Sequence, residues 1–239
     1  QFSAAPLLVS GSHGRRWATT TSQCVARSAV HSVPAPPRDS AVGEAHVLAF
    51  CTEYRQETAV LQRSATRNGF AFHAVGVGEP WRGFATKFLG YLRALQELLS
   101  RDIKPQDQVI LMDGWDTVIL SDVEELQKKT KNLPHGHILC GAERVCGPNH
   151  FLVGQMEQLY PDGRTPWRYP NSGGLVGSAA SMEALLEGLV HDTDSGMPLD
   201  ASDNDQVRLH EFLLSRLEAG QRFPLVLDTA CDVFQCMYE

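Results

Sequence analysis

Apolar and polar positions follow two alternating rhythms along the chain from about residue 45 onward. "AHVLAFCT", Ala45 to Thr52, is a short apolar run and predicts a buried strand. Thr58, Leu61 and Ala65 share one face of a helix from Glu53 to Asn68, which Gly69 closes. "FAFHAVGVG" predicts a second strand. Phe84, Phe88, Tyr91, Leu92, Leu95, Leu98 and Leu99 recur at three and four, so a long helix is expected through Ser100. Val109 to Met112 predicts the third strand, and Val118, Ile119 and Leu120 read as another. Asp122 is placed to cap a helix whose first turn carries Glu124 and Glu125. "HILCGAE" and "GGLVGSA" are strand-like, and Ser181 can cap a helix through Val190. Residues 204–219 predict a helix with Val207, Leu209, Phe212, Leu213 and Leu217 as core positions. "PLVLD" and "VFQC" read as short closing strands.

Strands alternating with helices predict an α/β fold, a mostly parallel sheet covered on both faces. Ligands of such sheets sit beyond the carboxyl ends of the strands. Residues 1–43, rich in Ser, Thr, Ala and Pro, lack this rhythm and are expected to be a flexible leader or a segment draped on the domain. The folded domain is expected over 44–239. A first residue of Gln1 fits a processed or trimmed chain, from which a removed signal peptide would leave no trace. The net charge of -7 and the absence of a basic stripe argue against a nucleic-acid partner. No apolar run approaches the ~18 residues of a membrane span. Six cysteines (Cys24, Cys51, Cys140, Cys146, Cys231 and Cys236) include no C-x-x-C pair, which disfavours a zinc ribbon and leaves disulfides open.

Between two apolar runs stand Asp113, Gly114, Trp115 and Asp116. Two carboxylates three residues apart can converge if the chain turns sharply, and Gly114 permits that turn. Hard oxygen donors at a crevice suit Mg2+ or Mn2+, which normally shares a substrate diphosphate. The competing reading is an Asp-Gly hairpin. "PNSGGLVGS" would let a ligand approach bare backbone at Asn171, Ser172, Gly173 and Gly174, or is a plain turn. "DASDNDQ" puts Asp200, Asp203 and Asp205 before a helix, either as caps or as an acidic wall for sugar hydroxyls. "GVGEPWRG" carries Trp81 and Arg82 in a glycine-rich loop that is neither a Walker loop nor a dinucleotide fingerprint. No G-x-S-x-G or H-E-x-x-H supports hydrolase chemistry.

Taken together, these clusters resemble the glycosyltransferase domain of the multifunctional procollagen lysyl hydroxylases and their relatives. The likeness runs in register from about His46 to Gln235. It comprises Thr52 after the first strand, "GVGEPW" over Gly76 to Trp81, and Lys87 at the start of the long helix. It continues with Asp113-Gly114-Trp115-Asp116 for the family's "DSYD", and Gly141-Ala142-Glu143 partly for "SAE". Tyr160-Pro161 and Tyr169 to Gly177, Asn204-Asp205-Gln206, and Leu227-Asp228-Thr229 with Val233-Phe234-Gln235 complete it. The resemblance implies a GT-A fold, a UDP-sugar donor and Mn2+ or Mg2+. It implies metal ligation by Asp113 and Asp116, with Thr229 standing where the animal enzymes have a histidine. Water, Asp228 or Asp232 can substitute for that third ligand. It further implies that Thr52, Trp81, Lys87 and Trp115, with Gly173 and Gly174, surround the nucleotide-sugar. Asn171, Asp203, Asn204 and Asp205 would face the transferred sugar and the acceptor. No iron-oxygenase sequence follows Gln235, so lysyl hydroxylation is not expected of this chain.

The expected activity is hexosyl transfer from UDP-galactose or UDP-glucose to a hydroxyl-bearing protein or glycan, with hydroxylysine or galactosyl-hydroxylysine of a collagen-like protein as the family's acceptors. Inverting transfer needs a base, for which Asp203 or Asp205 is the candidate. Retaining transfer would proceed by front-face attack assisted by the diphosphate. The rival readings are a GT-A-like UDP-sugar-binding module without turnover, supported by Thr229, and a nucleotidyltransferase. The family and the cysteines imply the endoplasmic reticulum or Golgi lumen, or secretion.

Overall fold

The computed structural model describes residues 30–34, 44–191, 199–200 and 202–237. In chain order the elements are β1 (His31–Val33), β2 (Ala45–Phe50), α1 (Gln56–Arg67), β3 (Ala71–Val75), α2 (Thr86–Leu99), β4 (Gln108–Asp113) and α3 (Val123–Thr130). Then follow β5 (Ile138–Glu143), a 3-10 turn (His150–Leu152), α4 (Val153–Leu159), β6 (Tyr169–Ser178), α5 (Ala179–His191), α6 (Asp205–Glu218) and β7 (Leu225–Leu227). The strands form one sheet in the order β1-β3-β2-β4-β6-β5-β7. β3, β2 and β4 run parallel, as do β5 and β7. β6 is antiparallel to both neighbours and β1 is antiparallel to β3. Five strands therefore share one direction, and the sheet is mixed, with helices on both faces. Because β6 runs backwards, its first residues lie beside the carboxyl end of β4, with Met112 opposite Gly174.

Alternation along β2 divides the core. Leu48 and Phe50 face one layer, with Phe88, Tyr91 and Leu95 of α2, Leu185 and Leu189 of α5, and Phe212 of α6. Val47 and Ala49 face the other, with Leu61 and Ala65 of α1 and Val123 and Leu126 of α3. The expected α1 face (Thr58, Leu61 and Ala65) is the buried one. α2 buries nine of its fourteen residues, because it packs against both the sheet and α5. Its Gly90 lets the Phe50 ring approach to within 2.6 Å of where a Cβ would stand. That close approach seats the first turn of α2 over the ends of the strands.

Several expectations are corrected. Val118, Ile119 and Leu120 form no strand, and Leu120 is 86% exposed. The Ile119 backbone is satisfied by side chains of α1 and its cap: Ser64 Oγ accepts from Ile119 N at 3.1 Å, and Asn68 Nδ2 donates to Ile119 O at 3.0 Å. The Asp-Gly hairpin is therefore not formed. Phe84 is 58% exposed because α2 begins only at Thr86. β6 begins at Tyr169, so Asn171 to Gly174 lie within a strand and not in a turn before it. Ser178, not Ser181, accepts the capping bond of α5. In α6, Val207 is partly exposed and Leu217 is 38% exposed. "VFQC" forms no strand. Of the leader expected over 1–43, residues 31–33 make the edge strand β1, and residues 1–29 and 35–43 lie outside the described residues, as does Cys24. The other five cysteines are free thiols.

β1 is fastened through a buried imidazole pair. Ser32 Oγ lies 2.8 Å from His73 Nδ1, and His73 Nε2 lies 3.2 Å from His46 Nδ1. Burial lowers both imidazoles, His73 to about 3, with His46 itself adding to the effect. In the unfolded chain each would protonate near its ordinary 6.5, so the unfolded state binds more protons below that pH. This contribution to stability is full above 6.5 and is lost as pH falls toward about 3. Burial raises Glu143, which pulls stability the other way over part of that window. The test is therefore a difference between proteins: chemical unfolding of wild type and of His73→Phe across the acid range. Wild type should lose up to about 1.4 kcal/mol more per pH unit than the variant. Equal slopes would refute the neutral imidazole pair.

Candidate active site

β4 delivers Asp113 to the edge of the sheet, and the chain then has to cross the end of β2. A Cβ on Gly114 would lie 2.4 Å from the carbonyl oxygen of Phe50, so only glycine makes the crossing. The turn is closed by Thr117 Oγ1 donating to the Asp113 carbonyl. It presents Trp115, whose Nε1 donates to Glu53 O at 3.2 Å and whose ring carries the Arg55 guanidinium 4.1 Å from its centre. Asp116 follows, an exposed residue. Desolvation of its carboxyl, and then Asp113 beside it, raises its pKa. The two acids thus stand close enough to repel.

Beneath Asp113 lies Lys87, 6% exposed. Its Nζ donates to Asp113 Oδ1 at 3.0 Å and to Ser172 Oγ at 3.3 Å, and pairs with Asp205 Oδ2. Ser172 Oγ also donates to Asp205 Oδ2 at 2.6 Å. Burial alone would lower Lys87, but the two carboxylates carry it above its ordinary value. Burial would raise Asp205, yet Lys87 and Ser172 bring it below the usual range. Asp205 is therefore held as an anion by Lys87 and Ser172. Asp203 is engaged locally: its carboxylate accepts from Asp200 N at 2.9 Å, and its carbonyl accepts from Ala85 N at 3.0 Å. Asn204 caps α6, accepting from Val207 N at 3.0 Å.

On the facing strand, a Cβ at Gly173 would lie 2.7 Å from Asp113 Oδ2, and one at Gly174 would lie 2.8 Å from the Phe234 ring. These glycines admit a carboxylate on one side and an aromatic ring on the other. Asn171 Oδ1 accepts from Gly173 N at 2.7 Å, and Asn171 Nδ2 donates to Glu143 Oε2 at 3.1 Å. Asp113, Asp116, Asn171, Gly173 and Gly174 line one cleft of about 700 Å³, which Asp232 and Phe234 border from the C-terminal side. The glycine-rich loop is fastened to the end of β2 by Gly78 N donating to Thr52 O at 2.8 Å. It holds Trp81 48% exposed, edge-on to Phe84.

The structure does not bring Thr229 into that cleft. Its carbonyl accepts from Thr165 Oγ1 at 2.6 Å, and it lines a separate hollow with Tyr160, Pro161 and Arg222. Asp228 is committed to the backbone, accepting from Asp232 N, Val233 N and Phe234 N at 2.9, 2.8 and 2.7 Å. Its carboxylate thereby shapes the segment that carries Asp232. Among the described residues no three His, Cys, Asp or Glu side chains gather as a metal cluster. As hard oxygen donors lining one cleft, Asp113 and Asp116 fit a hard divalent cation that keeps its remaining positions for water and phosphate. Glu143 and Gln206 enter the sequence pattern only as members of motifs, with no role of their own. Each acts through partners far away in the chain: Glu143 through Asn171 and Gln206, and Gln206 through Ser172.

A family model described as the PLOD GT domain matches residues 42–239. The chain is 29% identical over 168 residues to an uncharacterized protein of Acanthamoeba polyphaga mimivirus, covering 69% of this chain and 33% of that one. It is 29% identical over 195 residues to procollagen-lysine,2-oxoglutarate 5-dioxygenase 1 of Bos taurus, covering 79% and 24%. It is 26% identical over 178 residues to the multifunctional procollagen lysine hydroxylase and glycosyltransferase LH3 of Rattus norvegicus, covering 72% and 22%. The chain thus spans between 22% and 33% of the length of these relatives. Among solved structures, mouse xyloside xylosyltransferase 1 in its apo form aligns with a TM-score of 0.43 at 13% identity, covering 77% of this chain and 84% of that one.

The contact between Gly173 and Asp113 yields a direct test. In Gly173→Ala the new methyl displaces the Asp113 carboxylate, while the strand itself tolerates alanine. Titration calorimetry with UDP and Mn2+ should show affinity reduced about tenfold or more, with melting temperature nearly unchanged. Wild-type affinity in the variant would show that Asp113 takes no part in binding.

Proposed function

The chain belongs to the PLOD GT domain family, and from that premise we propose that it is a metal-dependent hexosyltransferase. It moves galactose or glucose from a UDP-sugar to a hydroxyl acceptor, hydroxylysine or galactosyl-hydroxylysine of a collagen-like protein. The observation that carries the reading is the cleft in which Asp113 and Asp116 face Asn171, Gly173 and Gly174 over a buried Lys87.

Asp113 and Asp116 would hold Mn2+ or Mg2+. The ion's contribution is to neutralise the charge gathering on the departing diphosphate. Lys87 fixes Asp113 in place and adds positive potential beneath it. Trp115 and the exposed Trp81 offer aromatic faces to the uracil, with Thr52 at the root of the loop between them. Gly173 lets the Asp113 carboxylate stand against the strand, and the Asn171 amide is held beside it, where the hexose would lie. With Asp205 locked to Lys87, Asp203 is the side chain left to accept the acceptor's proton if the transfer inverts. Membership of the family supports work in the lumen of the endoplasmic reticulum or Golgi, or outside the cell, as part of this proposal. No helix among the described residues is long and apolar enough to cross a membrane.

One observation favours a second reading, a UDP-sugar-binding module without turnover: Thr229 lies outside the cleft. UDP release, measured with Mn2+ over a panel of UDP-sugars and acceptor hydroxylysine peptides, decides between the two. Release from UDP-galactose or UDP-glucose is expected, falling about a hundredfold or more in Asp113→Ala. UDP binding without release from any donor would establish the binding module. Absence of UDP binding would overturn both.

A further inference from the structure

Glu143 ends β5 behind the cleft, and two side-chain amides converge on its carboxylate. Asn171 Nδ2 donates to Oε2 at 3.1 Å, and Gln206 Nε2 donates to Oε1. The far end of each amide fixes which way it points. Asn171 Oδ1 accepts from Gly173 N at 2.7 Å, and Gln206 Oε1 accepts from Ser172 N at 2.7 Å. Reversing either amide would set its amino group against a backbone N–H, donor to donor. The amino groups must therefore face Glu143, and both of its oxygens must accept. Gln206 Nε2 also reaches Pro170 O at 2.6 Å, so the same side chain grips β6 two residues before Ser172.

This chain of bonds ends on the stretch of β6 that shapes the cleft. Ser172 Oγ is bonded to Asp205 and Lys87, and Gly173 stands against Asp113. A shift of that backbone would therefore move the wall on which Asp113 rests. We propose that Glu143 is a positioning residue of the transfer site: by accepting from Asn171 and Gln206 it clamps β6 at Ser172 and Gly173 and so keeps Asn171 and Gly173 against Asp113. It acts through the two amides and touches no substrate.

The clamp needs the ionised form. A protonated Glu143 turns one oxygen into a donor facing an amino group, and one of the two bonds is lost. Burial pushes this carboxyl up to about 7, the two amides oppose that, and Asp205 adds to it. The titratable groups around it are Asp205 of α6, Cys140 of β5 and Cys146 just beyond β5. Burial raises both thiols, so they stay neutral. Arg168 meets Glu143 through its backbone N–H, on the Glu143 carbonyl. The clamp therefore tightens as pH rises through about 7 and slackens below it.

The proposal rests on the transferase reading, but its test does not depend on turnover. Hydrogen exchange is followed at the Ser172 and Gly173 amides, and kcat and KM are measured across the same pH range, for wild type, Glu143→Gln and Glu143→Asp. In wild type the protection of both amides should fall about tenfold as the pH drops below 7, roughly the worth of one hydrogen bond. Glu143→Gln, a mimic of the protonated form, should show the low protection at every pH. Its kcat should be down about tenfold with KM for the UDP-sugar within about twofold, and the pH limb near 7 should be absent. Glu143→Asp, which keeps the carboxylate, should recover part of both. Wild-type protection in Glu143→Gln would overturn the proposal, whatever its activity. Lost activity with intact protection would mean direct contact with substrate, which also overturns it. A wild type that binds but never transfers would defeat the transferase reading, and the exchange data would still decide the clamp.

Discussion

A single ammonium group, that of Lys87, organises this structure. Taking a lysine out of water is costly, and the cost is met only by close, well-directed acceptors. Lys87 has three: Asp113 from the end of β4, Asp205 from the first turn of α6, and Ser172 from β6. None lies near the others in sequence. Satisfying that one charge therefore requires three elements to meet at one point, the point where the cleft opens. The same requirement settles the character of the acids. Asp205 spends its charge on Lys87, while Asp113 has its second oxygen turned toward Gly173 and the cleft.

The topology makes this meeting cheap. Parallel strands gather their carboxyl ends on one side, and a strand inserted backwards between them brings its amino end to that same side. β6 is such a strand, so Asn171, Ser172 and Gly173 reach Asp113 by register alone. Residues without side chains then stand where other groups press closest: Gly173 under Asp113, Gly174 under Phe234 and Gly114 over the Phe50 carbonyl. Asp228 completes the wall from the other side by gathering three backbone N–H groups and bending residues 232–234 across the sheet.

Legibility in the sequence followed the range of the interactions. The buried face of α1 was readable because Thr58, Leu61 and Ala65 repeat within a few residues, and the Asp122 cap because its partner Glu125 is three residues away. Asp113 and Asp116 were readable because charge at the end of an apolar strand is anomalous. Val118 to Leu120 misled for the mirror-image reason: an apolar triplet looks like a strand, yet side chains of α1 and its cap satisfy the Ile119 backbone. Lys87 came to notice only through resemblance, since periodicity marks it as one more polar residue of a helix. Glu143 and Gln206 stood in motifs that carry the resemblance, but their contact was not readable, because their partners lie 28 and 63 residues away for Glu143 and 34 for Gln206 with Ser172. Thr229, which the resemblance set beside the metal, borders another hollow in the structure.

The most direct test of this account is a double-mutant cycle on folding stability with Lys87→Met, Asp205→Leu and the pair combined. Each single substitution strands a buried charge and should cost about 3–5 kcal/mol, while the double variant, with neither charge to compensate, should cost no more than one of them. Additive losses would contradict the account, because they would mean that the ammonium and the carboxylate contribute independently and that the cleft is not built around their pairing.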